Sequence, residues 1–533
     1  MSGHLLVIDA GTGSGRAVVF DLDGRQRGVG QEEWTHLAEP DAPGSMSFDT
    51  AADWALIVRC IGAAMAAAGV TGADIAAIST TSMREGIVLY DEAGRELWAC
   101  ANVDSRAEAE VRALKAREAG LERDFYLESG QTFALGALPR LDWVKAHRPR
   151  LFERVRAISM INDWVAARLT GEIVVEPTNA GTSGLMSLAT RNWSDTLIAR
   201  AGLDRRIFPR VVEPGAAIGA VTAGVAAETG LRAGTPVIAG GGDVQLGTVG
   251  LGIVRAGDAA VLGGTFWQQV INIPNGRVDP RMRVRINPAA IVGLNHAECI
   301  SFFVGMAMRW FRDAFCAEEM RQAKQSGADA YDLMEAQAAS VPAGACGVIP
   351  IFSDAMDFGR WYHAAPSFLN LSLDPARANK AVLFRALEEN AAIVSTVNLE
   401  RVREFAGGDT AQLLVFAGGA SKGRLWSQIL ADVTGREVRI PMVREATSLG
   451  AAAAAAVGIG RFGDFVEAAD SLVRWERSVP PNPAHRGLYD EAKARWQEAY
   501  AVQKTLVDKG ITTAMWSAPG ALEVAQRPVD TKA

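Results

Sequence analysis

The amino-acid sequence predicts an α/β protein built from two domains, and three observations lead there. The chain has 533 residues, more than the roughly 100–200 of one ordinary domain. Short apolar runs alternate with segments of helical periodicity along both halves, which is the grammar of α/β proteins. A strand, a glycine loop and a second strand recur as a unit after about half the chain, first around Ala10-Gly-Thr12 and again around Gly263-Gly-Thr265. Two ordinary hairpins would give the same pattern by chance, so the duplication is an expectation for the structure to test. The division that follows is 1–250, 251–515 and a flexible tail over 516–533.

Taken in order, the first strand covers Leu5 to Ile8 and the second Arg16 to Phe20, joined by a glycine-rich tip. Asp21-Leu-Asp-Gly24 is a turn, and Gly28 to Glu33 returns as a third strand. Helical periodicity then suits 51–69, 105–119, 137–148 and 151–170. A strand from Pro236 to Ala239 runs into Gly240-Gly-Gly-Asp243. The second hairpin pairs Ala259 to Leu262 with Phe266 to Ile273. Beyond it, 301–316, 379–406, 423–434, 446–457 and 486–509 read as helices, and Leu413 to Phe416 as a buried strand.

Composition narrows the function. Lys and Arg number 54 against 61 Asp and Glu, a formal net charge of −7, and 49% of the residues are hydrophobic. That is too apolar for a disordered chain, and the basic residues form no stripe of the kind nucleic acid requires. The five cysteines (Cys60, Cys100, Cys299, Cys316 and Cys346) lie far apart with no CxxC pair, which argues against a disulfide framework and a thiolate zinc site. The N-terminal segment lacks a secretory pattern. The alanine-rich run 451–457 falls short of the about 20 residues that cross a bilayer. The expectation is a cytoplasmic protein with neither a membrane nor a nucleic-acid partner.

Several segments carry chemistry. Gly11-x-Gly13-x-Gly15 is not a dinucleotide fingerprint, because Arg16 stands where the last glycine belongs and a strand follows, and no P-loop motif occurs. Glycine at a hairpin tip also serves as plain turn chemistry. The functional alternative is a concavity of backbone amides that binds an anion, with Asp9, Thr12, Ser14 and Arg16 around it. Phe416-Ala-Gly-Gly-Ala-Ser-Lys-Gly423 joins a strand to a helix, where glycine lets backbone approach a phosphate. Asp243 ends an apolar strand next to Gln245, placing a carboxylate where α/β proteins bind ligands, although a helix N-cap aspartate would read the same way. Ser82-Met-Arg84-Glu85-Gly86 and Asn102-Val-Asp104-Ser-Arg106 follow two further strands and offer partners for a polyhydroxylated molecule. The sequence contains no HExxH motif.

Together these pieces resemble the FGGY carbohydrate kinases of the actin/sugar-kinase/Hsp70 superfamily. The likeness runs in order through IDAGTGSGRAVVFD (8–21), SMREG (82–86), NVDSR (102–106), GGGD (240–243), LGGT (262–265), FAGGASKG (416–423) and EATSLGAA (445–452). It implies two ribonuclease-H-like domains with an interdomain active-site cleft. It also implies ATP as donor and Mg²⁺ near Asp9 and Asp243. Thr12, Gly13, Ser14 and Arg16 match the family's first phosphate motif, and Gly264 and Thr265 its second. Gly418, Gly419 and Ser421 match the nucleotide motif, and Asp243 the catalytic base. Arg84 and Glu85, with Asn102, Asp104 and Gln245, are the expected acceptor-binding residues.

A closer likeness over MREGIVLYDEAG (83–94), WACANVDSRA (98–107) and GGTFWQQV (263–270) implies a particular acceptor. It is linear 4,5-dihydroxy-2,3-pentanedione, the quorum-sensing signal autoinducer-2, phosphorylated on its C5 hydroxyl. The alternatives are another small polyol or ketose on the same machinery, or a non-catalytic nucleotide-binding regulator, and a homodimer stays open. Three departures bear on the acceptor. Asn102 replaces a common tryptophan, Gly13 a threonine and Arg140 a lysine.

Overall fold

The computed structural model describes residues 3–134, 136–408 and 413–518. Its first large sheet has six strands in the order Ala217–Ala220, Pro236–Gly242, Ile75–Ser82, His4–Ala10, Ser14–Asp21, Gln26–Glu33. His4–Ala10 runs parallel to Ile75–Ser82 and antiparallel to Ser14–Asp21, and Ile75–Ser82 runs parallel to Pro236–Gly242. His4–Ala10 is a near-continuous apolar run because it lies mid-sheet with both faces covered.

The second large sheet repeats this connectivity. Its order is Arg285–Pro288, Leu294–Phe302, Trp267–Pro274, Ala259–Gly263, Leu414–Ala417, Val438–Pro441, Trp475–Val479. Ala259–Gly263 takes the place of His4–Ala10, antiparallel to Trp267–Pro274 and parallel to Leu414–Ala417. The duplicated hairpin is therefore the centre of two ribonuclease-H-like sheets, the second with one extra edge strand.

A third sheet of five strands, absent from the sequence reading, is inserted in the first half. It comprises Leu37–Glu39, Ala42–Ser47, Glu96–Cys100, Ile87–Tyr90 and Ala157–Met160. It corrects the single helix expected over 151–170, which is a short turn Pro149–Phe152, a strand Ala157–Met160 and a helix Ile161–Thr170. Ile158 and Met160 are buried with Ile87 and Leu89, so pairing with Ile87–Tyr90 outweighs a helical period that the apolar residues also satisfy. The helix restarts where Asp163 accepts from the Met160 N–H at 3.3 Å. The expected helix 301–316 also begins later, at Val304, because the strand Leu294–Phe302 runs through its start.

Helix Thr50–Ala68 is long and apolar enough to cross a membrane by composition. Its Trp54, Ile57 and Ile61 pack instead on Leu6 and Ile8 of the first sheet. At the other end of the chain, Trp516–Ala518 adjoin the second half. The Ala518 N–H donates to the Trp361 carbonyl at 2.8 Å, and the Trp516 and Trp361 rings lie 4.9 Å apart. The rest of the expected tail lies outside the described residues.

The chain boundary near 250 is not a packing boundary. The alanine-rich helix Ala446–Gly458 belongs to the second half by sequence, yet Ala451–Ala456 pack with Leu5, Val7, Val18 and Phe20 of the first sheet. It crosses helix Asp243–Gly250 at backbone contact. A Cβ on Gly450 would stand 1.8 Å from the Leu246 carbonyl oxygen, and one on Gly250 2.0 Å from that of Ala446. Only glycine fits there. Overpacking costs about 1–3 kcal/mol, so Gly450→Ala is expected to lower the melting temperature by at least roughly 2 °C. Gly224→Ala, on an exposed helix face with nothing within 4 Å, should hold or raise it. Equal melting temperatures for wild type and Gly450→Ala would contradict the crossing.

Candidate active site

Two hairpin tips and one strand-to-helix turn border the cleft. The Gly11 N–H donates to the Ser14 carbonyl at 3.0 Å, leaving Thr12 and Gly13 exposed at the first tip. Trp34 Nε1 donates to the carbonyls of Gly11 and Thr12, each at 3.2 Å, and His36 Nε2 lies 2.6 Å from the latter oxygen. A carbonyl only accepts, so that ring nitrogen carries the proton. The second tip closes alike, Gly264 N–H to Phe266 carbonyl at 3.1 Å, with Thr265 exposed.

The third element, the turn Gly419–Lys422, follows Gly418 at φ +88, where a Cβ would press on the Gly263 carbonyl. Gly264, Thr265, Gly419 and Lys422 line a cavity of about 700 Å³ whose far wall holds Tyr331, Phe384, Glu388 and Trp426. That volume suits a ligand the size of a nucleotide. Ser421 departs from expectation. Its Oγ turns inward to the Gly418 carbonyl at 2.8 Å, and Arg477 donates to its own carbonyl at 2.6 Å. Ser421 thus shapes the turn and is not among the residues that line the cavity.

Asp243 opens helix Asp243–Gly250, with Gly242 as the N-cap, so the N-cap alternative for Asp243 does not hold. Its side chain is 41% exposed and lies 3.7 Å from Arg84 Nε. Desolvation on the cleft floor, against the pull of Arg84 and with Glu85 and Glu298 nearby, raises its pKa to about 6. Asp9 is raised to about 7 by desolvation, then by Asp243 and Glu445, against Arg16. Two neighbouring carboxyls that both hold protons tightly fit a divalent cation with oxygen ligands. No cluster of three acidic, His or Cys side chains occurs among the described residues, so such an ion would keep water and phosphate oxygens as its remaining ligands. Arg16 lies across the strand pair from Asp9, with its guanidinium ion-paired to Glu445 of the second half.

The acceptor end is a set of ion pairs from both halves. Arg84 Nη1 donates to both oxygens of Glu298, at 2.6 and 2.7 Å. Glu85 Oε1 meets Arg285 Nη2 at 2.6 Å. Burial pushes the Glu298 carboxyl up, but Arg84 and Arg285 outweigh it and hold it below the usual range. Gln245 Nε2 and Asn287 Nδ2 also donate to Glu298, at 3.0 and 2.9 Å. Glu85 adopts φ +64, a strained conformation for a non-glycine residue that is typical of binding sites. Arg140 donates to its carbonyl and to those of Asn102 and Asp104, tying two loops together. Asn102 Nδ2 reaches Thr12 Oγ1 at 3.0 Å, joining the acceptor end to the first tip.

Asp104 is the remaining correction. Its carboxylate is fully buried against Arg106 Nη2 at 2.8 Å and accepts from the Met46 N–H at 2.7 Å. Arg106 is held over the Trp98 and Trp143 rings, 5.0 and 4.9 Å from their centroids. Asp104 therefore braces the Asn102 loop from behind. Glu298 and Arg285 went unrecognised in the sequence, where the signal was a lone charge inside an apolar strand. Removing Glu298 would leave Arg84 buried without its main partner, a loss of about 3–5 kcal/mol. Chemical denaturation of Glu298→Ala should show it, and unchanged stability would contradict the pairing.

Comparison with known proteins identifies the family. The models of the FGGY carbohydrate kinase N-terminal and C-terminal domains match residues 4–250 and 292–459. The chain is 57% identical to an autoinducer-2 kinase of Klebsiella pneumoniae subsp. pneumoniae, over 98% of each chain. It is 56% identical to one of Yersinia enterocolitica, over 97% of this chain and 98% of the other. Among solved structures, the xylulose kinase of Rhodospirillum rubrum superposes with a TM-score of 0.84 at 26% identity, over 94% of this chain and 99% of that one. The glycerol kinase of Plasmodium falciparum shares the fold at 18% identity, with a TM-score of 0.80 over 94% of this chain and 98% of the other. Matched by family models across both halves and by full-length relatives, the chain belongs to the FGGY family of carbohydrate kinases.

Proposed function

We propose that the protein transfers the γ-phosphoryl group of ATP to the primary hydroxyl of autoinducer-2, in its linear form 4,5-dihydroxy-2,3-pentanedione. The observation that carries this is the Asp243 carboxyl, open to the cleft beside Arg84, in a chain more than half identical to autoinducer-2 kinases along nearly its whole length. The acceptor's C5 oxygen attacks the γ-phosphorus, the bond from that phosphorus to the β,γ-bridging oxygen breaks, and ADP leaves. Asp243 takes the hydroxyl proton. With a pKa near 6, it is mostly ionised at neutral pH yet basic enough to serve.

The amides and hydroxyls of the exposed Thr12 and Gly13 with the half-buried Ser14 on one side, and of Gly264 and Thr265 on the other, hold the oxygens of the moving group. Such preorganised donors are the main protein contribution to phosphoryl transfer. Gly418 and Gly419 let the backbone approach the nucleotide, with Lys422 beside its phosphates. Asp9 and Asp243 would hold Mg²⁺, which neutralises phosphate charge. Arg84 donates to the dione carbonyls, and Glu85 and the free Oε1 of Gln245 accept from the diol hydroxyls. An ATP donor fits a cytoplasmic reaction.

Two measurements test this reading. Asp243→Asn should lose about 10²–10⁴-fold in turnover while ADP binding persists, and retained turnover would remove Asp243 from the base role. ADP release against dihydroxypentanedione, glycerol, xylulose, ribulose and erythrulose should favour the first. Preference for xylulose would overturn the acceptor and leave the phosphoryl chemistry standing.

A further inference from the structure

The nucleotide cavity has a wall that phosphate binding does not use. Phe384 and Glu388 stand one turn apart on helix Lys380–Ala406 and line it with Tyr331 and Trp426. Glu388 is 1% exposed, and its Oε2 has no hydrogen-bond partner among the described residues. Its neighbour Glu389 shows what a satisfied carboxylate looks like in this helix. That residue accepts from Arg385 Nε at 2.8 Å, the Gly344 N–H at 2.9 Å and the Tyr489 hydroxyl at 3.0 Å. A buried, unpartnered polar group lowers stability, and in a ligand cavity that cost suits a group whose partner is the ligand.

We propose that Glu388 reads the nucleotide base and makes adenine the preferred one. The proposal rests on the kinase reading for its use of ATP but not on the acceptor. Burial holds the Glu388 proton well above the usual carboxyl range, helped by Glu335 and Glu389 and opposed by Arg385. The neutral acid presents one O–H donor and one carbonyl acceptor. Adenine offers the complement on one edge, an N6 amino donor beside the N7 acceptor. Guanine sets two acceptors, O6 and N7, at the same place, so one contact would oppose acceptor to acceptor. Guanine's other edge has two donors, which suit an ionised carboxylate and not the acid. Phe384 and Trp426 supply apolar surface for the ring.

Calorimetric titration with ADP and with GDP, without acceptor, tests the proposal independently of the autoinducer-2 assignment. Wild type should prefer ADP. Glu388→Leu should bind ADP about ten- to a hundredfold more weakly, the worth of two lost hydrogen bonds. Its GDP affinity should hold, and its melting temperature should rise because the unpaired carboxyl is gone. Glu388→Gln keeps one donor and one acceptor and should retain the ADP preference. Equal affinities of wild type for ADP and GDP would overturn the proposal. So would a Glu388→Leu variant that binds ADP as wild type does, or one that loses both nucleotides equally.

Discussion

The close crossing of helices Asp243–Gly250 and Ala446–Gly458 is the constraint on which the cleft depends. Gly250 and Gly450 let the two backbones touch, and the crossing pins one helix from each half of the chain to the other. Asp243 begins the first helix and Glu445 immediately precedes the second, while Thr447 Oγ1 donates to the Asp243 carbonyl at 3.1 Å. Both N-termini therefore come together on the cleft floor, and their dipoles favour a phosphate there. Ala446 also reaches Ala260, Val415 and Ala417 of the second sheet, so the same helix touches both large sheets. Anything that spreads the crossing also moves the candidate base.

Electrostatics follow from that placement. Arg84 lies between two carboxylates but does not serve them equally. Its Nη1 makes two short bonds to Glu298, and only Nε approaches Asp243, at 3.7 Å. Glu298 is kept ionised and Asp243 is left with a raised proton affinity, which is the division of labour a base and a binding group require. Buried ion pairs add little net stability over apolar packing. Finding two of them, Arg84–Glu298 and Glu85–Arg285, bridging the halves points to orientation of a polar acceptor as their purpose.

The sequence made the hairpins legible, because apolar alternation around glycine tips has few other solutions, and it made Asp243 legible as a carboxylate at a strand end. It could not show which way a side chain turns. Asp104 is captured by Arg106, which Trp98 and Trp143 hold in place, and Ser421 bonds its own turn, while Arg16 is drawn to Glu445, far away in the chain. Glu298 and Arg285 were hidden because a single charge in an apolar strand acquires meaning only opposite its partner. The alanine helix was found, but six identical small residues carry no address for the sheet they cover.

The most direct test of the account is a crystal structure with dihydroxypentanedione and a non-hydrolysable ATP analogue bound together. The C5 hydroxyl should lie about 2.6–3.2 Å from an Asp243 carboxylate oxygen. The γ-phosphate should sit between the Thr12 and Thr265 tips, in line with that hydroxyl. A hydroxyl oriented by another group, with Asp243 out of hydrogen-bond reach, would contradict the assignment of Asp243 and the reading of the cleft built around it.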